Sequence, residues 1–222
     1  MRADPPEKSD TTPTSAIDGA QSKIMSTIRS ICVYCGSSPG TNPEFAEIAR
    51  AFGQILAENG ITLVYGGGAR GLMGALARAV HDNGGSVVGI IPDFLKSRER
   101  MFAGAHEIVV TRDMHERKRL MFERADAFVA LPGGVGTLEE LVEQLTWSQL
   151  GRHSKPILIA NINGFWDPLL ELLDHMKRSG FISSELAIDY KVVDRVQDIL
   201  PAIEAAAAVA EPAPASAVID RM

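Results

Sequence analysis

Short apolar runs alternate along this chain with longer stretches of helical periodicity. That alternation restricts it to a layered α/β fold. The strand-like runs are Ile31–Cys35, Ile61–Tyr65, Ser86–Ile91, Glu107–Val110, Ala127–Leu131 and Pro156–Ala160, with a last short one near Tyr190–Val193. Between them lie helical stretches at Pro43–Asn59, Leu72–Asn83, Met114–Arg124, Leu138–Leu150 and Asp167–Ser179, and a final helix is expected from Val196. Several strand runs are apolar at nearly every position, which is the pattern of strands buried on both faces. The expected architecture is a doubly wound, mostly parallel sheet with right-handed crossovers and helices on both faces.

One such domain accounts for residues 27–204. Residues 1–26 are rich in Pro, Ser, Thr, Asp and Lys, lack hydrophobic periodicity and read as a disordered leader. Residues 205–222, an alanine run followed by EPAPAS, read as a frayed helix end and a flexible tail. The formal charge of −6 argues against a nucleic-acid partner, but a local anion site is compatible with it. No apolar run reaches the roughly 18 residues that span a bilayer. The N-terminus lacks a secretory h-region, so no membrane association is expected and the cytoplasm is the expected compartment. Cys32-Val-Tyr-Cys35 has CxxC spacing but falls in a strand, where positions i and i+3 face opposite ways. Both thiols are therefore expected to be buried and inert.

In open parallel sheets ligands bind beyond the carboxyl ends of the strands. Three turns there are glycine-rich: Gly36-Ser37-Ser38, then Gly66-Gly67-Gly68-Ala69-Arg70-Gly71-Leu72-Met73-Gly74, then Pro132-Gly133-Gly134-Val135-Gly136-Thr137. Glycine lets backbone approach a ligand, and a helix N-terminus presents free N–H groups and a positive dipole end. Phosphate is the expected ligand, with Gly36, Ser37, Gly67, Gly68, Gly133 and Gly134 as candidate contacts. Tight strand-to-helix turns need glycine for their own sake, and that reading stands beside it. Gly66, Gly68 and Gly71 also fit GxGxxG, with Asp93 downstream as a ribose contact, but the third turn then has no role in a nicotinamide site.

Thr137-Leu138-Glu139-Glu140 carries two readings. Thr137 and Glu140 have capping-box spacing. Alternatively, Glu140 points its carboxylate at the bound ligand. Asp113 and Glu116 have the same spacing at the start of another helix. Arg117 shares its face with Met114 and Met121 and so needs an anionic partner, either a carboxylate or a phosphate. Lys118 points about 100° away, as surface charge or as a ligand contact. His115 is a candidate base or a packing residue. The remaining histidines show no metal-ligand spacing, and neither a metal nor a cofactor is expected.

Taken together, Gly67-Gly68-Ala69-Arg70-Gly71-Leu72-Met73-Gly74, Met114-His115-Glu116-Arg117-Lys118 and Pro132-Gly133-Gly134-Val135-Gly136-Thr137-Leu138-Glu139-Glu140 resemble the Lonely Guy (LOG) family of cytokinin riboside 5′-monophosphate phosphoribohydrolases. Many members carry an older label of lysine decarboxylase. The resemblance runs from about Ile31 to Val193 and implies a Rossmann-like fold and a homodimer or larger assembly. It implies hydrolysis of N6-modified adenosine 5′-monophosphates to free base and ribose 5-phosphate. By motif position it implies Arg117 and Glu140 as the catalytic pair. It also implies Lys118, Gly134, Val135, Gly136, Thr137, Leu138, Glu139, Thr146 and Glu99 as substrate contacts. The base would meet a pocket built from such residues as Met101, Phe102 and Trp147, or from a neighbouring subunit.

The chief alternative is a non-catalytic nucleotide or molybdenum-cofactor carrier, which has no need of an Arg117–Glu140 pair. A single-stranded DNA binder would need a basic, aromatic stripe that this chain lacks. No lysine has surroundings that suggest a pyridoxal phosphate Schiff base.

Overall fold

The computed structural model describes residues 28–96, 100–182 and 188–209. Glu99, the leader and residues 210–222 lie outside them.

Among the described residues, seven parallel strands form one sheet: β1 (Ser30–Tyr34), β2 (Thr62–Tyr65), β3 (Val87–Pro92), β4 (Glu107–Thr111), β5 (Ala127–Ala130), β6 (Ile157–Ala160) and β7 (Lys191–Val193). Their spatial order is β4-β3-β2-β1-β5-β6-β7. The chain winds outward in one direction through β2, β3 and β4, then returns to the other side of β1 with β5. The crevice between β1 and β5 is therefore the topological switch point, where such sheets hold ligands.

Six α-helices among the described residues cover the sheet: α1 (Glu44–Glu58), α2 (Gly71–Asp82), α3 (Met114–Glu123), α4 (Val135–Gln149), α5 (Asp167–Arg178) and α6 (Ile199–Val209). Helices α1, α2 and α6 close one core, and α3, α4 and α5 close the other. Strand β1 shows how the sequence divides between them. Ile31, Val33 and Cys35 enter the first core, whereas Cys32 and Tyr34 enter the second. The two thiols are buried on opposite faces, and burial pushes both well above the usual thiol range. Side chains as completely buried as Phe52 and Phe128 each contribute on the order of 2 kcal/mol.

Helix α6 continues to Val209, so the alanine run expected to be a frayed helix end is helical. Helix α4 begins at Val135, before the expected start at Leu138. No helix among the described residues is long and apolar enough to cross a membrane.

Candidate functional site

The three glycine-rich turns are knitted together through Gly36. Its N–H donates to the Pro132 carbonyl (3.1 Å), and its own carbonyl accepts from Leu72 N (3.0 Å) and Met73 N (3.2 Å). Two first-turn amides of α2, those of Leu72 and Met73, are thus already paired. Gly67 and Gly68 turn toward the segment after β3: the Gly67 carbonyl accepts from Phe102 N, Gly68 bridges Met101, and Ala69 N donates to the Arg100 carbonyl. The second turn is held by the fold's own hydrogen bonds. Gly71 has φ +58°, and a Cβ there would stand 2.4 Å from the Ser37 carbonyl carbon. This glycine lets the first two turns touch.

The N-terminus of α4 is different. Its N-cap is Gly134, no side chain caps it, and its first turn has no acidic residue. Gly134, Val135 and Gly136 are exposed, while Thr137 is buried. Since α4 starts at Val135, Thr137 is its third residue, and Thr137 with Glu140 makes no capping box. That expectation is overturned, because the helix absorbs the glycine segment instead of starting after it. The other box is half formed: Asp113 accepts from Glu116 N (2.8 Å), but the Glu116 carboxylate takes the Arg112 N–H instead of the N-cap amide. A cavity of about 270 Å³ lies between the first and third turns, bounded by Gly36, Ser37, Phe45, Gly133, Gly134 and Phe165.

Freed from capping, Glu140 lies on the buried face of α4. Its Oε1 is 3.0 Å from Arg117 Nη1 on α3. The guanidinium is oriented further by Nε, which donates to the Ile90 carbonyl within β3 (3.2 Å). Gly66 leaves it room, since a Cβ at that position would stand 2.5 Å from Arg117 Nη2. Burial holds the Glu140 carboxyl above the ordinary carboxylate range; Arg117 opposes this, Glu139 adds to it, Lys118 opposes it and Glu143 adds to it.

Lys118 is not a free surface charge. Its ammonium bonds Glu139 Oε1 (2.5 Å) and Glu143 Oε1 (2.9 Å). Burial lowers its pKa, but the bonds to Glu139 and Glu143 outweigh that and raise it above the usual lysine value. Arg117 and Lys118 thus each face carboxylates of α4. Glu143 was missed by sequence reasoning, although its i+4 spacing from Glu139 puts both on one helix face.

Other expected contacts are not brought to this place. Thr146 is exposed six residues past Glu140, about 9 Å along the axis, and donates to the Val142 carbonyl. Val135 is exposed at the start of α4, and Leu138 is partly buried against the core that α3, α4 and α5 close. Met101, Phe102 and Trp147 form no common pocket: Met101 bridges Gly68, Phe102 packs edge-on against His81, and Trp147 packs edge-on against Phe122. His115 is exposed on α3. A larger cavity, about 780 Å³, runs along β6, β7 and α6 beside His153 and Tyr190, and none of Arg117, Glu140 or the turn glycines borders it.

With this geometry established, relatives are informative. A family profile described as "Possible lysine decarboxylase" matches residues 73–203. The chain is 49% identical over 162 residues to the cytokinin riboside 5′-monophosphate phosphoribohydrolase LOG2 of Arabidopsis thaliana, covering 73% of this chain and 76% of that one. It is 48% identical over 158 residues to the cytokinin riboside 5′-monophosphate phosphoribohydrolase of Rhodococcoides fascians, covering 71% and 80%. Among solved structures, the molybdenum cofactor carrier protein of Chlamydomonas reinhardtii shares the fold with a TM-score of 0.61 at 18% identity, over 81% of this chain and 98% of that one. The molybdenum cofactor binding protein of Rippkaea orientalis does so with a TM-score of 0.60 at 20% identity, over 79% and 95%.

Proposed function

The chain belongs to the LOG family of cytokinin riboside 5′-monophosphate phosphoribohydrolases, and from that premise we propose that it hydrolyses the N-glycosidic bond of N6-modified adenosine 5′-monophosphates at the Arg117–Glu140 site. The products are the free base and ribose 5-phosphate. Unmodified adenosine 5′-monophosphate has the same phosphate and ribose and belongs to the same substrate class.

The observation that carries the site assignment is the buried Arg117–Glu140 pair beside the uncapped start of α4. The open amides and dipole of α4 suit a 5′-phosphoryl group. The ribose then lies further along the helix, toward Glu140. Cleavage of the C1′–N9 bond builds positive charge on the ribose ring, and a carboxylate in a poorly hydrated pocket stabilises that charge strongly. Glu140 also accepts a proton from, or orients, the attacking water. Arg117 holds Glu140 in place and keeps the sugar and phosphate in reactive geometry. A carrier of the same fold has no use for such a pair, and the carriers' likeness at 18–20% identity extends to the fold alone.

The outward face of α4 and its C-cap present Val135, Val142 and Leu150, all exposed. This apolar stripe supports a second copy of the chain as partner, alongside a small-molecule nucleotide as substrate. The deciding experiment incubates the protein with nucleoside monophosphates, nucleosides and triphosphates and resolves released base by chromatography. Base from monophosphates alone is expected. Equal release from nucleosides would remove the phosphate seat, and no release from any would end the hydrolase reading.

A further inference from the structure

Glu143 lies one turn beyond both Glu139 and Glu140 on α4. Its Oε1 takes the Lys118 ammonium at 2.9 Å, while its Oε2 is buried and has no hydrogen-bond partner among the described residues. Of the two carboxylates on Lys118, Glu139 is half exposed (50%) and Glu143 largely covered (19%). Glu139 makes the shorter bond but is screened by water and salt, whereas Glu143 holds the ammonium from the covered side. A half-satisfied buried carboxylate is not what stability alone favours. Neighbouring residues of α3 thus meet carboxylates one turn apart on α4: Arg117 meets Glu140, and Lys118 meets Glu143.

We propose that Glu143 is a positioning residue of the hydrolytic site, acting through Lys118, whose ammonium it holds beside the Arg117–Glu140 pair. This rests on the hydrolase reading above. The titratable and charged groups that act on Glu140 are Arg117 and Lys118 from α3, Glu139 and Glu143 from α4, Cys32 and Tyr34 from β1, and, from across the sheet just past that strand, Cys35. Loss of the Glu143 charge removes one negative neighbour from Glu140 and leaves Lys118 with only its water-exposed partner. Glu140 then ionises at lower pH, and the cation beside it is no longer fixed.

The test uses Glu143→Gln, Lys118→Met and the double variant, with N6-isopentenyladenosine 5′-monophosphate as substrate. For Glu143→Gln, kcat is expected to fall about tenfold with KM held within about twofold. The acid limb of kcat/KM moves down by about half a pH unit. Added to Lys118→Met, the same change costs nothing further, because the two act as one unit. Glu143→Asp keeps the charge with a shorter reach, so it restores the acid limb but not kcat, and it replaces the glutamine variant if that one fails to fold. Losses that multiply in the double variant, or an unmoved acid limb with a lowered melting temperature, would overturn the proposal. An active wild type matched by Glu143→Gln sinks this inference alone. A wild type that releases no base sinks the hydrolase reading as well.

Discussion

Arg117 Nη1 stands 3.0 Å from Glu140 Oε1, and the two side chains keep only 11% and 10% of their surface open to solvent. A pair so enclosed is unequal in what its members leave behind. Arg117→Ala strands a buried carboxylate, so it should lower stability by about 3 kcal/mol in urea titration. It should also reduce turnover and weaken substrate binding together. Glu140→Gln keeps the shape and an acceptor for Arg117. Its stability loss should be smaller, while base release falls by about three orders of magnitude. Turnover near wild type in Glu140→Gln would take the carboxylate out of the chemistry.

Gly66→Ala tests the same pair from behind. The added methyl meets Arg117 Nη2 at 2.5 Å, and the end of a long side chain is what has to move. The fold should survive with a melting temperature close to wild type, while kcat falls by about tenfold or more as the guanidinium swings off Glu140. Equal kinetics in the two proteins would show that Arg117's position is not critical.

Gly71→Ala should do the reverse, costing stability first. Its φ of +58° and the 2.4 Å approach to Ser37 leave no room for a methyl without moving backbone. The expected loss is about 2 kcal/mol or more by chemical denaturation. A loss under about 0.5 kcal/mol would mean that the first two turns separate freely.

His153 sets an acid-sensitive window away from the site. Burial pushes its imidazole from 6.5 down to about 4. The unfolded chain therefore takes the proton first. The stabilisation is whole above about pH 6.5 and is lost as pH falls toward about 4. His153 packs against Phe122 and Phe128, so His153→Phe keeps an aromatic ring there without the titration. Melting temperatures across this range should fall less steeply in the variant. Parallel slopes would assign the window to other groups.

Much of the fold was legible because strands buried on both faces write long apolar runs, as β1, β5 and β6 do. Arg117's need for an anion was legible too, from the methionines on its face. The start of α4 was not. Gly134 and Gly136 read as loop, since glycine disfavours helix, and the Thr137–Glu140 spacing imitated a cap. Docking of α3 beside α4 overrode both signals. The partners of Lys118 were hidden for the same reason: helix spacing shows that Glu139 and Glu143 share a face, but not which helix lies across from it. The dispersal of Met101, Phe102 and Trp147 likewise depends on tertiary placement that no local pattern encodes.

The links that Gly36 makes to Pro132, Leu72 and Met73 use main-chain atoms only. Side chains around the rim can therefore be exchanged without shifting the carbonyls and amides that bind the loops together. A lineage built on this scaffold can change which nucleobase it admits while the loops beneath keep their shape, so selectivity and framework are free to evolve at different speeds.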